Sequence, residues 1–255
     1  MTDQQHRPVS LPLADCSLCP FRGKTLLMGR CMPGDTCVFV ESGRQIDRFF
    51  RINPAYAVLY LNDKFWERRA IAVRYSPLKA LTALINDEDE VVRRAVALRL
   101  PIQQLNLLIN DPDREVRMAV ADRIDLQQLE QLADDADYIV RLTVAKRLPP
   151  GRLFRLIKDE DMQVRQFVAK RLPEVSLGLM ANDAAADVRR IVAERMAAED
   201  AVLLLNDSDW LVRYTAALKV AQEHLQPLLD DPEADVRDVA RQRLNSLIPS
   251  DVDHD

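Results

Sequence analysis

Residues 101–124 read PIQQLNLLINDPDREVRMAVADRI. The second half sets Val116, Ala119, Val120 and Ile124 at i, i+3, i+4 and i+8, a spacing that lines one side of an α-helix. Asp111 and Asp113 stand just ahead of it, where carboxylates accept hydrogen bonds from free first-turn N–H groups and suit the helix dipole. A proline such as Pro101 ends whatever helix precedes it. The first half offers only Leu105, Leu108 and Ile109 as apolar anchors, enough for a short turn or two tightened toward 3₁₀ geometry. One α-helix of about 11 residues and one short 3₁₀ segment are the expected content.

Outward from this stretch the same unit recurs every 24 residues. Val-Arg is found at 92–93, 116–117, 140–141, 164–165, 188–189, 212–213 and 236–237, and one period upstream Arg68-Arg69 keeps the arginine without the valine. A second column is aspartate throughout, at Asp63, Asp87, Asp111, Asp135, Asp159, Asp183, Asp207 and Asp231. Eight units follow, in register over residues 53–244. Each carries two short apolar faces and cannot bury its own leucines, so the units must stack on their neighbours as a solenoid.

The bulk composition agrees. The chain has 255 residues, 48% of them hydrophobic and 29% charged, with only six glycines, which favours helix and a substantial core. No stretch reaches the roughly 18 apolar residues a membrane span needs, and MTDQQHRPVSLPLAD lacks the apolar run of a signal peptide, so a cytoplasmic protein with no membrane association is expected.

All four cysteines fall within the first 37 residues, in Cys16-Ser-Leu-Cys19-Pro20 and Cys31-Met-Pro-Gly-Asp-Thr-Cys37. Cytoplasmic thiols stay reduced, so a disulfide framework is a poor reading. Four thiolates suit either tetrahedral zinc or a [4Fe-4S] cluster, each iron of which takes one protein sulfur. The second pair, C-x5-C, is long for a zinc knuckle, and the Cys19-Pro20 dipeptide echoes bacterial ferredoxins. Leu18, Phe21, Leu26, Leu27, Met28, Val38 and Phe39 are the side chains expected to shield a cluster from water. These features favour iron-sulfur over zinc, with disulfides or free thiols behind both.

A unit reading D-x-D-x-x-V-R-x-x-V-A-x-R-L-P behind a four-cysteine module resembles the leucine-rich repeat variant family, over almost the whole chain. The resemblance implies an all-α fold: alternating α- and 3₁₀-helices wound into a right-handed superhelix, without β-sheet, in the general manner of armadillo and HEAT repeats. It also implies an amino-terminal [4Fe-4S] cluster, makes Cys16, Cys19, Cys31 and Cys37 its four ligands, and suggests association with nitrogen-fixation genes. Arg68 in place of valine, and Ala197 and Ala221 in place of proline, depart from the pattern, and local differences in geometry are expected there. The expected division is an iron-sulfur module at 1–50, the repeats at 51–248, and an acidic tail at 249–255.

No enzyme is expected. A fourth cysteine closes the iron that a substrate would need, no phosphate-binding glycine loop or dinucleotide fingerprint occurs, and His6, His224 and His254 fall in tails or in a degenerate last repeat. Arginine does recur in two rows, the Val-Arg series and a second one at Arg99, Arg123, Arg147, Arg171, Arg195, Lys219 and Arg243. Asp89, Asp113, Asp137, Asp161, Asp209 and Glu233 precede an arginine by four residues, so local i, i+4 neutralisation is expected. Residues 51–255 hold 29 basic and 35 acidic side chains, which argues against a nucleic-acid groove. The sequence reading is a redox-linked electron-transfer or interaction protein that binds an unknown protein partner on the solenoid surface. The alternatives are a zinc-stapled scaffold and a nucleic-acid-binding solenoid.

Overall fold

The computed structural model describes residues 12–245, so His6, His254 and the acidic tail at 249–255 lie outside the described residues. These residues are helical without a β-sheet, and an isolated antiparallel bridge joins Met32 to Thr36. They fall into two compact units, divided after Gln128.

The first unit holds the cysteine segment and then α1 (Gly43–Ile52), α2 (Trp66–Tyr75), α3 (Glu90–Ala97) and α4 (Arg114–Ala121), separated by seven-residue 3₁₀ segments at Pro54–Tyr60, Leu78–Leu84 and Ile102–Leu108. A short α-turn, α5 (Leu126–Leu129), leads into the second unit. There α6 (Tyr138–Arg147), α7 (Met162–Arg171), α8 (Ala186–Arg195), α9 (Trp210–Ala217) and α10 (Ala234–Asn245) alternate with further 3₁₀ segments. Val116, Val120, Ile124 and Leu105 are each fully buried, and Ala119, Leu108 and Ile109 nearly so, as the apolar spacing requires. None of the described helices is long and apolar enough to cross a membrane.

The α-helices of the units from 77 to 220 run eight to ten residues, a little short of the expected 11. In α3 the reason is visible: the last turn tightens, the Arg99 N–H donating to the Val96 carbonyl three residues back, before Pro101 begins the next segment. At the other end, Asp89 accepts from the N–H groups of Val91 and Val92, Asp113, Asp161 and Asp209 cap their helices in the same way, and Asp137 accepts from the Ile139 N–H. Ala185 occupies this place ahead of α8 with the same extended backbone and no side-chain cap. Asp125 stands in the proline column and caps the N–H groups of Gln127 and Gln128 at 3.0 Å, and there the turn is α-helical rather than 3₁₀. Where Ala197 replaces proline, the 3₁₀ segment begins only at Asp200 and keeps five residues.

The expected i, i+4 ion pairs do not form. Asp89, Asp137, Asp161 and Asp209 are engaged as helix caps, and Arg93, Arg141, Arg165 and Arg213 reach instead into the following repeat. The Arg93 Nε and Nη2 donate to the two carboxylate oxygens of Asp111 at 2.8 and 3.0 Å, while Nη1 donates to the Asp87 carbonyl at 2.8 Å. The same two-pronged contact joins Arg69 to Asp87, Arg141 to Asp159, Arg165 to Asp183, Arg189 to Asp207 and Arg213 to Asp231. Each receiving aspartate also accepts the N–H two residues along, as Asp183 does from Ala185. These pairs are almost out of water, with the Arg141 and Asp159 side chains 6% and 3% exposed. A fork-shaped guanidinium in register with a buried carboxylate satisfies both groups, which an exposed i, i+4 pair cannot match.

The second basic row is also turned inward. Arg195 donates to the carbonyls of Ala169 and Leu172 at 2.7 and 2.8 Å, and Arg243 to those of Ala217 and Val220 at 2.7 and 2.6 Å. Arg99, Arg123 and Arg171 likewise donate to pairs of carbonyls in the unit before their own, and Lys219 takes the arginine's place on the carbonyls of Glu194 and Met196. The cations thereby satisfy carbonyls that a helix C-terminus leaves orphaned, and they complement its dipole.

Candidate metal centre

The first cysteine pair lies on a turn whose N–H groups are tied down locally. Ser17 donates to Asp15 Oδ1 at 2.8 Å, Cys19 to the Cys16 carbonyl at 3.4 Å, and Arg22 to the Cys19 carbonyl at 3.1 Å. A π-turn at Arg22–Leu26 follows, in which Thr25 and Leu26 both donate to the Phe21 carbonyl. The chain then reverses through Gly29, whose φ of +68° is a conformation glycine adopts without strain.

The second pair explains its own long spacing. The Met32 N–H donates to the Thr36 carbonyl at 2.9 Å, and the N–H groups of Asp35 and Thr36 return to the Met32 carbonyl. The five residues between Cys31 and Cys37 thus close into a loop that draws the two cysteines to its neck. Gly34 at the tip has a φ of +83°, a left-handed conformation in which a residue with a side chain would be strained.

All four cysteines border one cavity, together with Phe21, Met32, Val38, Phe39 and Phe49. All four are free thiols, with Cys37 buried and the others half-buried. Burial, and then the neighbouring thiols Cys19 and Cys37, push Cys16 above the ordinary thiol range, with Arg22 opposing; Cys31 is raised by burial and by the other three thiols. Four bare thiolates would repel one another here, so a cationic metal centre is the group that lets them ionise together. The Phe39 N–H lies 3.4 Å from Cys37 Sγ, a donor able to stabilise charge on that sulfur. Among the described residues no group of three or more His, Cys, Asp or Glu side chains is placed to hold a single metal ion. A four-sulfur donor set around an apolar space fits the requirements of an iron-sulfur cluster, whose irons each take one sulfur.

The module is held against α1 by contacts that the sequence reading missed. Gln45 Nε2 donates to the Pro12 carbonyl at 2.9 Å, and Asn53 Nδ2 to the carbonyls of Arg30 and Phe49 at 2.8 and 3.0 Å. Phe21 packs against Phe49 and Tyr56 with ring centroids 5.3 and 4.8 Å apart. Burial pushes the Tyr60 phenol up to about 12. One signal for Asn53 was available, since it occupies the column of Pro77 and Pro101 while differing from both. The shielding expected of Leu18, Leu27 and Met28 is not found: they are 93%, 81% and 63% exposed, and Leu26 does not line the cavity. Phe49, from α1, takes up that part. The sequence pattern could not separate the two outcomes, because apolar side chains on an irregular loop have no period to tell inside from outside.

Tandem helical repeats joined to an amino-terminal four-cysteine module define an iron-sulfur helical-repeat protein. A family model described as LRV protein FeS4 cluster matches residues 12–58. A solved structure described as a leucine-rich repeat variant with a novel repetitive protein structural motif is 61% identical, with a TM-score of 0.85 over 91% of this chain and 99% of that one. The chain belongs to the leucine-rich repeat variant family. It is also similar to an uncharacterized 27.7 kDa protein in the nifB 3′ region of Rhodobacter capsulatus, 38% identical over 86 residues, which are 34% of this chain and 35% of that protein. The match therefore spans about a third of that relative's length.

Proposed function

We propose that Cys16, Cys19, Cys31 and Cys37 hold a [4Fe-4S] cluster, and that the protein passes single electrons between this centre and partner proteins, with the repeats as an interaction scaffold. The observation that carries this reading is that all four thiols of the chain border one cavity walled by Phe21, Phe39 and Phe49. When bound, such a cluster supplies a one-electron couple whose potential follows burial and hydrogen bonding to its sulfurs. The Phe39 N–H would favour the reduced state by placing a donor on Cys37, and the Phe21 and Phe49 rings cover the apolar side of the cavity. A cysteine for every iron leaves no position open to a substrate, which favours electron transfer over catalysis.

Anaerobic purification followed by iron, sulfide and zinc analysis tests the reading, together with electron paramagnetic resonance before and after reduction. About four irons and about four sulfides per chain, with a signal appearing on reduction, are expected. One zinc without sulfide would overturn the cluster assignment, and a cluster that no reductant alters would overturn electron transfer. The nucleic-acid alternative is disfavoured by the inward engagement of both arginine rows.

A further inference from the structure

We propose that the loop between Cys19 and Cys31 is the docking surface for an acidic electron-carrier protein, an inference that rests on the electron-transfer reading above. The eleven residues from Pro20 to Arg30 contain Arg22, Lys24 and Arg30 and no aspartate or glutamate. All three cations are exposed, and none makes an ion pair among the described residues. This sets them apart from the repeat arginines, which are tied to carboxylates and carbonyls. Leu27 and Met28, on the same loop, and Leu18, between the first two cysteines, present their side chains to solvent. Apolar side chains beside unpaired cations have the make-up of a protein interface, in which methionine and arginine are enriched.

The position and sign of this surface select the occupant. The loop is bounded at both ends by candidate cluster ligands, so a carrier seated on it rests against the redox centre. Residues 51–255 carry an acidic excess, 29 basic against 35 acidic side chains, so an acidic protein is repelled by the bulk of the chain and drawn to the one acid-free loop beside the cysteines. A single short loop with three cations buries too little apolar surface for stable membrane attachment.

The test uses the full chain with its cluster loaded. Electron transfer is timed against an acidic ferredoxin-type carrier and against a basic cytochrome-type carrier, each at low and high salt. The acidic carrier is expected to react faster, and to slow by about tenfold or more as salt is raised. Lys24→Glu combined with Arg30→Glu should slow it by about tenfold at low salt, with Lys24→Arg near wild type. Iron content and reduction by photoreduced deazariboflavin, a neutral small molecule, should be unchanged in these variants. If deazariboflavin reduces the cluster but the acidic carrier shows no advantage and no salt dependence, the docking surface is wrong and the electron-transfer reading survives. Stable binding of the loaded protein to anionic vesicles would likewise overturn the carrier as occupant. A cluster that deazariboflavin cannot reduce removes the reading beneath both. The wild-type comparison stands even if the charge-reversal variant fails to fold.

Discussion

Arg69, Arg93, Arg141, Arg165, Arg189 and Arg213 are largely shielded cations with two obligations, a carboxylate in the next repeat and a carbonyl in their own. Arg165 and Asp183 are 13% and 5% exposed, so removing only the cation strands a carboxylate away from water. Arg165→Met is expected to lower unfolding free energy by about 3–5 kcal/mol in urea titrations. Adding Asp183→Asn should recover part of the loss, because asparagine carries no charge and its Oδ1 still accepts from the Ala185 N–H. The ladder also fixes a pH response. The hydrogen bond from Arg213 holds Asp231 below the ordinary carboxylate value of 3.8. Its contribution to stability is complete above that unfolded-state value and is lost as pH falls through the lower folded-state one. Melting temperature should therefore change little from neutral pH to about pH 5 and drop as the acid limb passes below about pH 4; an equal slope across the neutral range would contradict this. The aspartate and arginine columns were legible in the sequence, but their pairing was not. Asp89 and Arg93 have the spacing of a helix-surface pair, and only the stacking of repeats brings Asp111 within reach.

At the level of elements, the caps are the readable part. Aspartate before Val-Arg announces a helix start in five of the units described, and the short apolar set Leu105, Leu108 and Ile109 announces the 3₁₀ segment. Ala185 tests the argument in reverse. Its backbone, at φ −91° and ψ 125°, matches that of Asp161, at φ −85° and ψ 127°, so Ala185→Asp should place a carboxylate on the first turn of α8. A gain of about 0.5–1 kcal/mol is expected by thermal or chemical unfolding, and no change or a loss would refute the cap argument at this position. Helix ends were less legible than starts. The closing turn of α3 tightens through backbone contacts that carry no residue signature, and Asp125 shows that a capping residue in the proline column converts the following turn to α geometry.

The whole molecule joins two kinds of stability. The repeats are sustained by buried leucines, valines and the arginine ladder, whereas the cysteine segment has few buried side chains besides Thr25, Thr36, Cys37, Val38 and Val40. Its shape depends on hydrogen-bonded turns and on four mutually repelling sulfurs, so metal binding supplies much of its folding free energy. Chelator-treated protein is expected to show early proteolytic cuts within 12–42 while fragments spanning the repeats persist; early cuts within the repeats would refute the separation. The four cysteines could be read directly from the sequence. The aromatic and amide contacts that seat them, from Gln45, Phe49, Asn53 and Tyr56, could not, because they depend on how α1 meets an irregular loop. The arginine ladder has an evolutionary consequence as well. Arg69, Arg93, Arg141, Arg165, Arg189 and Arg213 each reach back six residues and forward eighteen, two offsets that together make one period, as Arg93 does with Asp87 and Asp111. Duplication or loss of one whole unit by unequal recombination would leave these guanidinium groups with both kinds of partner. A gene of this design can change length in single steps without first inventing a new interface.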